Sequence, residues 1–279
     1  MAEKILNGKV AVVTGAGGVL CSSFAEELAK AGAKVALLDL NEEAAKEAAE
    51  KIVADGGIAK GYKANVLNKA VLEEVHAQIV ADLGKCDILI NGAGGNSPRC
   101  TTAHEYYEEG DELTSEFKTF FNLEKADFDF VFGLNIMGTL LPTQVFAPDM
   151  LNNDGVIINI SSMNAFTPLT KIPAYSAAKA GISNFTQWLA VHFAKAGIRV
   201  NAIAPGFFAT KQNAALLFNE DGTPTQRTGK ILAATPMGRF GKPEELLGTL
   251  MWLCDSSASG FVTGVVVPVD GGFSAYSGV

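Results

Sequence analysis

Val10-Ala-Val-Val-Thr14-Gly15-Ala16-Gly17-Gly18-Val19-Leu20-Cys21 reads as a buried strand, a glycine-rich turn and the start of a helix. The β-branched run suits a strand covered on both faces. Glycines accept positive φ and let a backbone approach a ligand closely. A helix that starts at Val19 and Leu20 directs unpaired N–H groups and a partial positive charge at whatever lies above the turn. Gly15, Gly17, Gly18, Val19 and Leu20 are therefore expected to cradle a phosphate group.

Outward from this turn the pattern repeats. Strands are expected at 10–13, 35–38, 58–62, 88–91, 156–160, 200–204 and 265–269. Helices are expected at 20–31, 42–54, 69–83, 125–150, 174–196 and 243–254. Gly32, Gly84 and Gly197 stand where helices should stop, and Pro243 with Glu244 and Glu245 makes a good helix start. Strands alternating with helices over the whole length imply an α/β fold with a doubly wound parallel sheet. No linker, repeat or low-complexity segment divides the chain, so 1–279 is expected to be one domain. Residues 96–122 and 207–241 interrupt the rhythm as long insertions. Both follow the carboxyl end of a strand, where open α/β sheets bind ligands. They either cover a substrate or elaborate the surface.

Asp39 closes the second strand, where an acid can bind both hydroxyls of an adenosine ribose. It would repel a 2′-phosphate, and neither the turn nor its sequence neighbours supply Arg or Lys, so NAD (as NADH) is expected rather than NADP. Capping the helix at 42–54 is a second use for the same side chain. Asn65 and Val66 follow the third strand and are placed to flank an adenine. Asn91, Ala93 and Gly94 follow the fourth, either letting a cofactor ribose approach the backbone or forming a plain tight turn.

Composition narrows the partners. The 279 residues are 48% hydrophobic and 19% charged, as in a globular soluble protein. A net charge of −8 argues against nucleic acid or an anionic membrane. No apolar run reaches the ~18 residues that span a bilayer, and the N-terminus lacks a signal-peptide pattern. Cys21, Cys86, Cys100 and Cys254 are irregularly spaced, as are His76, His104 and His192. No metal site or disulfide framework is expected, and a cytoplasmic location is.

Tyr175 and Lys179 stand four residues apart, one helical turn, and project from the same face. A phenol ionises near pKa ~10; a cation one turn away favours the phenolate and is expected to lower that value. Such a phenol can protonate an alkoxide or deprotonate an alcohol, and Ser162 could hydrogen-bond the same oxygen. A surface Tyr and Lys on an ordinary helix would share the spacing.

Together these motifs resemble the short-chain dehydrogenase/reductase family. The resemblance rests on Thr14-Gly15 and its turn, Asn91-Gly-Ala-Gly94, Leu-Asn135-Ile-Met-Gly and Ile-Asn-Ile-Ser-Ser162. It continues with Tyr175-x-x-x-Lys179, Arg199-Val-Asn-Ala-Ile-Ala-Pro205-Gly206 and Val-Asp-Gly-Gly272. It implies a Rossmann-type domain of seven parallel strands, hydride transfer between a nicotinamide and a carbonyl or alcohol, and a homotetramer. It further implies that Tyr175 is the acid–base, that Lys179 lowers its pKa and binds the nicotinamide ribose, and that Ser162 polarises the carbonyl. Asn135 would hold a water linking Lys179 to solvent, or merely brace a helix. Pro205, Gly206 and Thr210 would grip the nicotinamide end. The chain departs from the family at Val19 and Cys21, where glycines are usual; Gly17 and Gly18 supply the flexibility instead, and Cys21 is expected to pack as a small apolar residue.

Several loops are further similar to those of members that act on hexuronate sugar acids. Such a substrate needs a cation for its carboxylate and amides or hydroxyls for the rest. Asn96, Arg99, Ser162, Asn164, Tyr175, Lys211, Gln212 and Asn213 are the candidates. Another polyol or keto-sugar dehydrogenase would use the same machinery. A non-catalytic cofactor sensor or scaffold would have had no need to keep both Tyr175 and Lys179.

Overall fold

The strand that opens the chain, β1 (Val10–Thr14), is buried along its whole length. Its alternate residues serve opposite faces of a sheet, as a period of two requires. Ala11 and Val13 join one core cluster with Phe24, Leu28, Val35 and Leu37. Val10 and Val12 join the other with Leu38, Leu72, Ile79 and Phe146. A single strand thus divides two hydrophobic layers. The structure is a computed structural model that describes residues 4–209 and 217–278.

The remaining strands are β2 (Lys34–Asp39), β3 (Ile58–Lys63), β4 (Ile88–Asn91), β5 (Gly155–Ile160), β6 (Ile198–Pro205) and β7 (Val266–Val269). They form a seven-stranded sheet in the order β3-β2-β1-β4-β5-β6-β7, every pairing parallel. The chain builds outward from β1 to β3, then returns to place β4 on the other side of β1. The crossovers from these two strands therefore leave in opposite directions and open a crevice at their carboxyl ends. The expected α/β architecture is the one observed, a single Rossmann-like domain.

The expectation of strands buried on both faces holds for β1, β2, β4, β5 and β6 but not for the two edges. β3 alternates between exposed and half-buried residues, and β7 is mostly half-buried. Each edge has one neighbour and incomplete cover.

On one face lie α1 (Val19–Lys30) and α2 (Glu42–Ala54). Asn41 caps α2 by accepting from the Ala44 N–H. On the other lie α3 (Lys69–Asp82) and α6 (Pro173–Phe193), the latter starting with Pro at its first position. Gly32, Gly84 and Gly197 adopt φ of +105°, +118° and +73° after their helices, as helix-stopping glycines do.

The helix expected over 125–150 is two helices, α4 (Lys125–Phe132) and α5 (Gly138–Met150), joined by a wide π turn at Gly133–Met137. The Asn135 side chain donates to the Val131 carbonyl one turn back, at 2.7 Å, and the Thr139 hydroxyl donates to the Asn135 carbonyl at 2.9 Å. These side chains bond carbonyls before and within the widened turn. By length and composition the 125–150 run could cross a membrane, but half of its most apolar window is buried within the fold. That reads as a core helix.

Insertion 96–122 has little regular structure and is held by its own polar groups. Asn122 donates to the Thr114 and Phe117 carbonyls and accepts from the Thr119 N–H. Insertion 207–241 contains a helix that periodicity did not reveal, α7 (Gln226–Ala233), capped by Thr225. Lys230 on α7 reaches Glu105 in the first insertion at 2.8 Å, so the two insertions touch. Pro243 opens a 3₁₀ turn rather than the helix proper, which is α8 (Leu247–Cys254).

Phe24, fully buried between α1 and the sheet, tests the core under the glycine turn. Phe24→Ala should lower unfolding free energy by about 3–5 kcal/mol in urea or guanidinium titration, with little change in cooperativity.

Candidate active site

The crevice between β1 and β4 is closed at its base by one hydroxyl. Thr14 Oγ accepts from the N–H groups of Gly92 and Ala93 at 3.1 and 3.2 Å. Gly15, at φ +67°, lies so close to Ala93 that a Cβ would stand 2.9 Å from its Cα. A side chain at Gly17 would meet Ala44 and the Asp39 carboxylate at 2.8 and 3.0 Å. Gly18 caps α1 with no side chain over the helix end. The N-terminus at Val19 and Leu20 therefore faces the crevice uncovered, as a pyrophosphate cradle requires.

Asp39 is bonded to the turn itself: one oxygen accepts from the Gly17 N–H at 2.9 Å, the other from the Asn41 N–H at 2.8 Å. Asn41, not Asp39, caps α2. Each carboxylate oxygen keeps a lone pair for a ribose hydroxyl. Lys63 stands opposite Asp39 in the β2–β3 register, a cationic neighbour that proximity in sequence did not reveal. Val66 packs near Gly138 at the start of α5, whereas Asn65 is exposed and accepts from the Leu67 N–H.

Where the family pattern has glycine, Cys21 is buried and its sulfur lies where a Cβ on Gly92 would have to go. Burial pushes the thiol up to about 12, which keeps it neutral and unreactive. It packs, as expected. The Asn91 side chain does not face the crevice: its amide donates to Thr143 Oγ and Asn159 Oδ1, joining β4 to α5 and β5. Only the backbone of 92–94 remains for a ligand.

Lys179, on α6, is 4% exposed and donates to the Ile160 carbonyl at 2.7 Å. Burial lowers its pKa from 10.5 to about 8, with Cys21 opposing weakly. A Cβ on Gly94 would lie 2.7 Å from Asn135 Oδ1 and 3.2 Å from Lys179 Nζ, so only glycine fits there. The Asn135 side chain is fully engaged, donating to the Gly95 and Val131 carbonyls and accepting from the Gly95 N–H. Asn135 therefore braces the site, pinning the 94–95 loop and the π turn beside Lys179.

Of the two serines after β5, Ser161 turns towards α6, bonding the Lys179 carbonyl and Ser183. Ser162 accepts from the Asn164 N–H at 3.2 Å, which leaves its O–H to donate. Tyr175 lies beside Ser162. The expected lowering of its pKa by Lys179 is not what the structure shows. Burial raises the phenol, and the Ser162 side chain only partly counters it. The ammonium lies 5.6 Å from the centre of the tyrosine ring.

The expected substrate ligands divide. Asn164 is 3% exposed and its Oδ1 has no partner among the described residues. Arg99 is not a free cation: its Nε pairs with Asp127 at 3.2 Å. Asn96 donates to Thr101 within its own loop. Pro205 and Gly206 close against the chain end, since a Cβ on Gly206 would stand 2.6 Å from Asp270 Cα. Thr210, Lys211, Gln212 and Asn213 lie outside the described residues. Sequence reasoning missed the Ile160 carbonyl, which carries no residue-type signal, and Asp270, whose Asp-Gly-Gly setting does signal a turn against the site.

A family model for the short chain dehydrogenases matches residues 9–220. The chain belongs to the short-chain dehydrogenase family. It is 62% identical over 275 residues to an uncharacterized oxidoreductase of Haemophilus influenzae, covering 98% of this chain and 96% of the relative. The 2-dehydro-3-deoxy-D-gluconate 5-dehydrogenase of Escherichia coli is 35% identical, with 97% of each chain covered. A solved Haemophilus structure, provisionally described as a D-mannonate oxidoreductase with bound NAD, superposes with a TM-score of 0.94 at 62% identity over 98% of each chain. The chain is a short-chain oxidoreductase.

Because Lys179 titrates lower folded than unfolded, the unfolded chain holds the extra proton between about pH 8 and 10.5. Stability from this group is therefore expected to rise with pH across that window. Unfolding titrations of wild type against Lys179→Met should show the wild type gaining on the variant as pH rises.

Proposed function

We propose that this protein is an NAD(H)-dependent oxidoreductase that reversibly reduces a keto-sugar acid, D-fructuronate to D-mannonate. The observation that carries the chemistry is the disposition of Ser162, Tyr175 and Lys179 beside the glycine cradle, with Ser161 turned away into α6. The residues present fit a dinucleotide: a bare helix end for the pyrophosphate, Asp39 for the ribose diol, and a glycine at 94 that keeps the path to Lys179 open. The nicotinamide, when bound, supplies the hydride.

The chain's own residues manage the oxygen. Ser162 turns its O–H, which otherwise bonds Tyr175, to the substrate carbonyl and fixes that oxygen against Tyr175. As charge grows on that oxygen, Tyr175 delivers its proton; burial keeps the phenol protonated until then. Lys179 stabilises the phenolate left behind, because two opposite charges in a dry site attract strongly. Asn135 acts by position, through the 94–95 loop. Asn164, with its unpartnered buried oxygen, accepts a substrate hydroxyl. Pro205 and Gly206 would enclose the nicotinamide end, and Asn65 and Val66 would flank the adenine.

The D-mannonate oxidoreductase description of the Haemophilus structure supports the substrate. The gluconate-type relative supports a second reading, a dehydrogenase of another keto-sugar acid or polyol with the same tetrad. The negative charge supports a cytoplasmic metabolic enzyme without nucleic acid or membrane partners. Exposed Trp188 and Val191 on α6 supply an apolar face for a homotetramer.

NADH oxidation followed over D-fructuronate, D-tagaturonate, keto-gluconates and fructose tests the reading, with D-fructuronate expected to be turned over fastest. Turnover of neutral ketoses alone would defeat it. Tyr175→Phe should reduce kcat about 10²–10⁴-fold while NADH still quenches protein fluorescence. Wild-type turnover by that variant would remove Tyr175 from the mechanism. Asp39→Ala should cut the preference for NADH over NADPH; an unchanged ratio of kcat/KM values would refute its role at the ribose.

A further inference from the structure

We propose that Lys171 and Arg227 form the carboxylate anchor of the substrate site, in the cavity between the loop leading into α6 and α7. This inference rests on the keto-sugar-acid reading above and supplies the cation that Arg99, paired with Asp127, does not.

The cavity holds about 320 Å³, enough for a sugar acid. Its wall includes Lys171, Ile172, Phe207, Arg227, Lys230 and Glu105. It adjoins the acid–base machinery through two covalent continuities. Ile172 immediately precedes the first residue of α6, the helix that carries Tyr175 and Lys179. Phe207 follows Gly206, which closes against Asp270. A hexuronate has its keto carbon and its carboxylate near opposite ends of the carbon chain. With the keto group at Tyr175, the acid end needs a cation one loop away.

Charge in the cavity is unbalanced. Lys171, Arg227 and Lys230 share one lining carboxylate, Glu105. Lys230 engages both oxygens of that carboxylate, at 2.8 and 2.9 Å. Among the described residues, neither Lys171 nor Arg227 has an ion-pair partner. Two surplus cations in one cavity of a chain with net charge −8 call for an anion. Glu105 and Lys230 join the two insertions and frame the opening.

The backbone at Lys171 is strained, and the structure holds it so. Its φ is +70°. Among the described residues, the other non-glycine residues with positive φ are Asn152 and Asp154, types that tolerate the left-handed region. Lysine has no such tolerance, and the conformation is fixed by a 2.9 Å bond from the Thr102 N–H, in insertion 96–122, to the Lys171 carbonyl. Strain that surrounding structure enforces beside an active site points to a positioned side chain. Insertion 96–122 thus orients a specificity residue instead of merely covering the site.

The test compares a keto-hexuronate with the uncharged ketohexose of the same carbon skeleton. Lys171→Asn removes the cation but suits the left-handed backbone; Lys171→Arg keeps the cation; Arg227→Gln removes the second one. In Lys171→Asn the preference in kcat/KM for the acid over the neutral ketose should fall about 10–100-fold, through KM rather than kcat, as loss of a charge-assisted bond implies. Arg227→Gln should lower it less, and Lys171→Arg should restore most of it. Matching thermal melts for Lys171→Asn and Lys171→Arg exclude misfolding as the cause. Wild-type activity on the keto acid, with the preference unchanged in Lys171→Asn, Arg227→Gln and the double variant, overturns the anchor and leaves the function standing. A wild type that reduces only neutral ketoses overturns both.

Discussion

The hydroxyl of Thr14 ties the end of β1 to the start of the loop after β4, and the rest of the site depends on that tie. Thr14 receives two backbone N–H groups from the neighbouring strand's exit, Gly92 and Ala93. The strands diverge beyond it because their crossovers run to opposite sides of the sheet. Without the tie, backbone donors at 92 and 93 would be left without this partner near the bottom of a crevice, an expensive arrangement. With it, glycines at 15 and 94 can approach the places where only a bare backbone fits. Cys21 completes the floor, and its sulfur and Gly92 are mutually dependent: either the thiol or a side chain on Gly92 can occupy that space, not both.

A second constraint is a lysine buried without a carboxylate. Lys179 is surrounded by the Ile160 carbonyl, Gly94 and a neutral thiol. Burial alone would discharge it, and its pKa has moved to about 8 on that account. The same burial raises Tyr175, so it favours the neutral form of both groups and moves their pKa values apart. The polar residues below, Asn91, Asn159 and Thr186, form a linked row through the sheet that keeps β4, β5 and α6 in fixed relation. Asn135 does the same for the π turn. Positioning residues here are spent on backbone groups, which is why their side chains are not available to a ligand.

The two insertions complete the enclosure. One is an irregular loop cross-linked by Asn122, Thr119 and the His104–Asp111 pair; the other carries α7. They meet at Lys230 and Glu105. Insertion 207–241 presents Arg227 and Lys230 to the cavity between them, and insertion 96–122 contributes Glu105.

The sequence by itself determined the alternation of strands and helices, the glycine turn, Asp39, and the spacing of Ser162, Tyr175 and Lys179. These are local properties: periodicity, turn chemistry and one helical turn all act over a few residues. The family pattern carried the acid–base assignment because its residues recur in order along the chain. Only the tertiary structure decided where side chains separated by many residues spend their hydrogen bonds. It showed Asn91 turned into the sheet, Asn135 consumed by Gly95 and Val131, Arg99 neutralised by Asp127, and the phenol raised by burial rather than lowered by its lysine. It also split the 125–150 helix at a π turn, and revealed α7, a helix of two turns in a polar stretch with few apolar residues to mark it. The setting of Lys171 was not legible either: its left-handed backbone and the bond it receives from the Thr102 N–H reflect a contact between segments that composition and spacing do not encode.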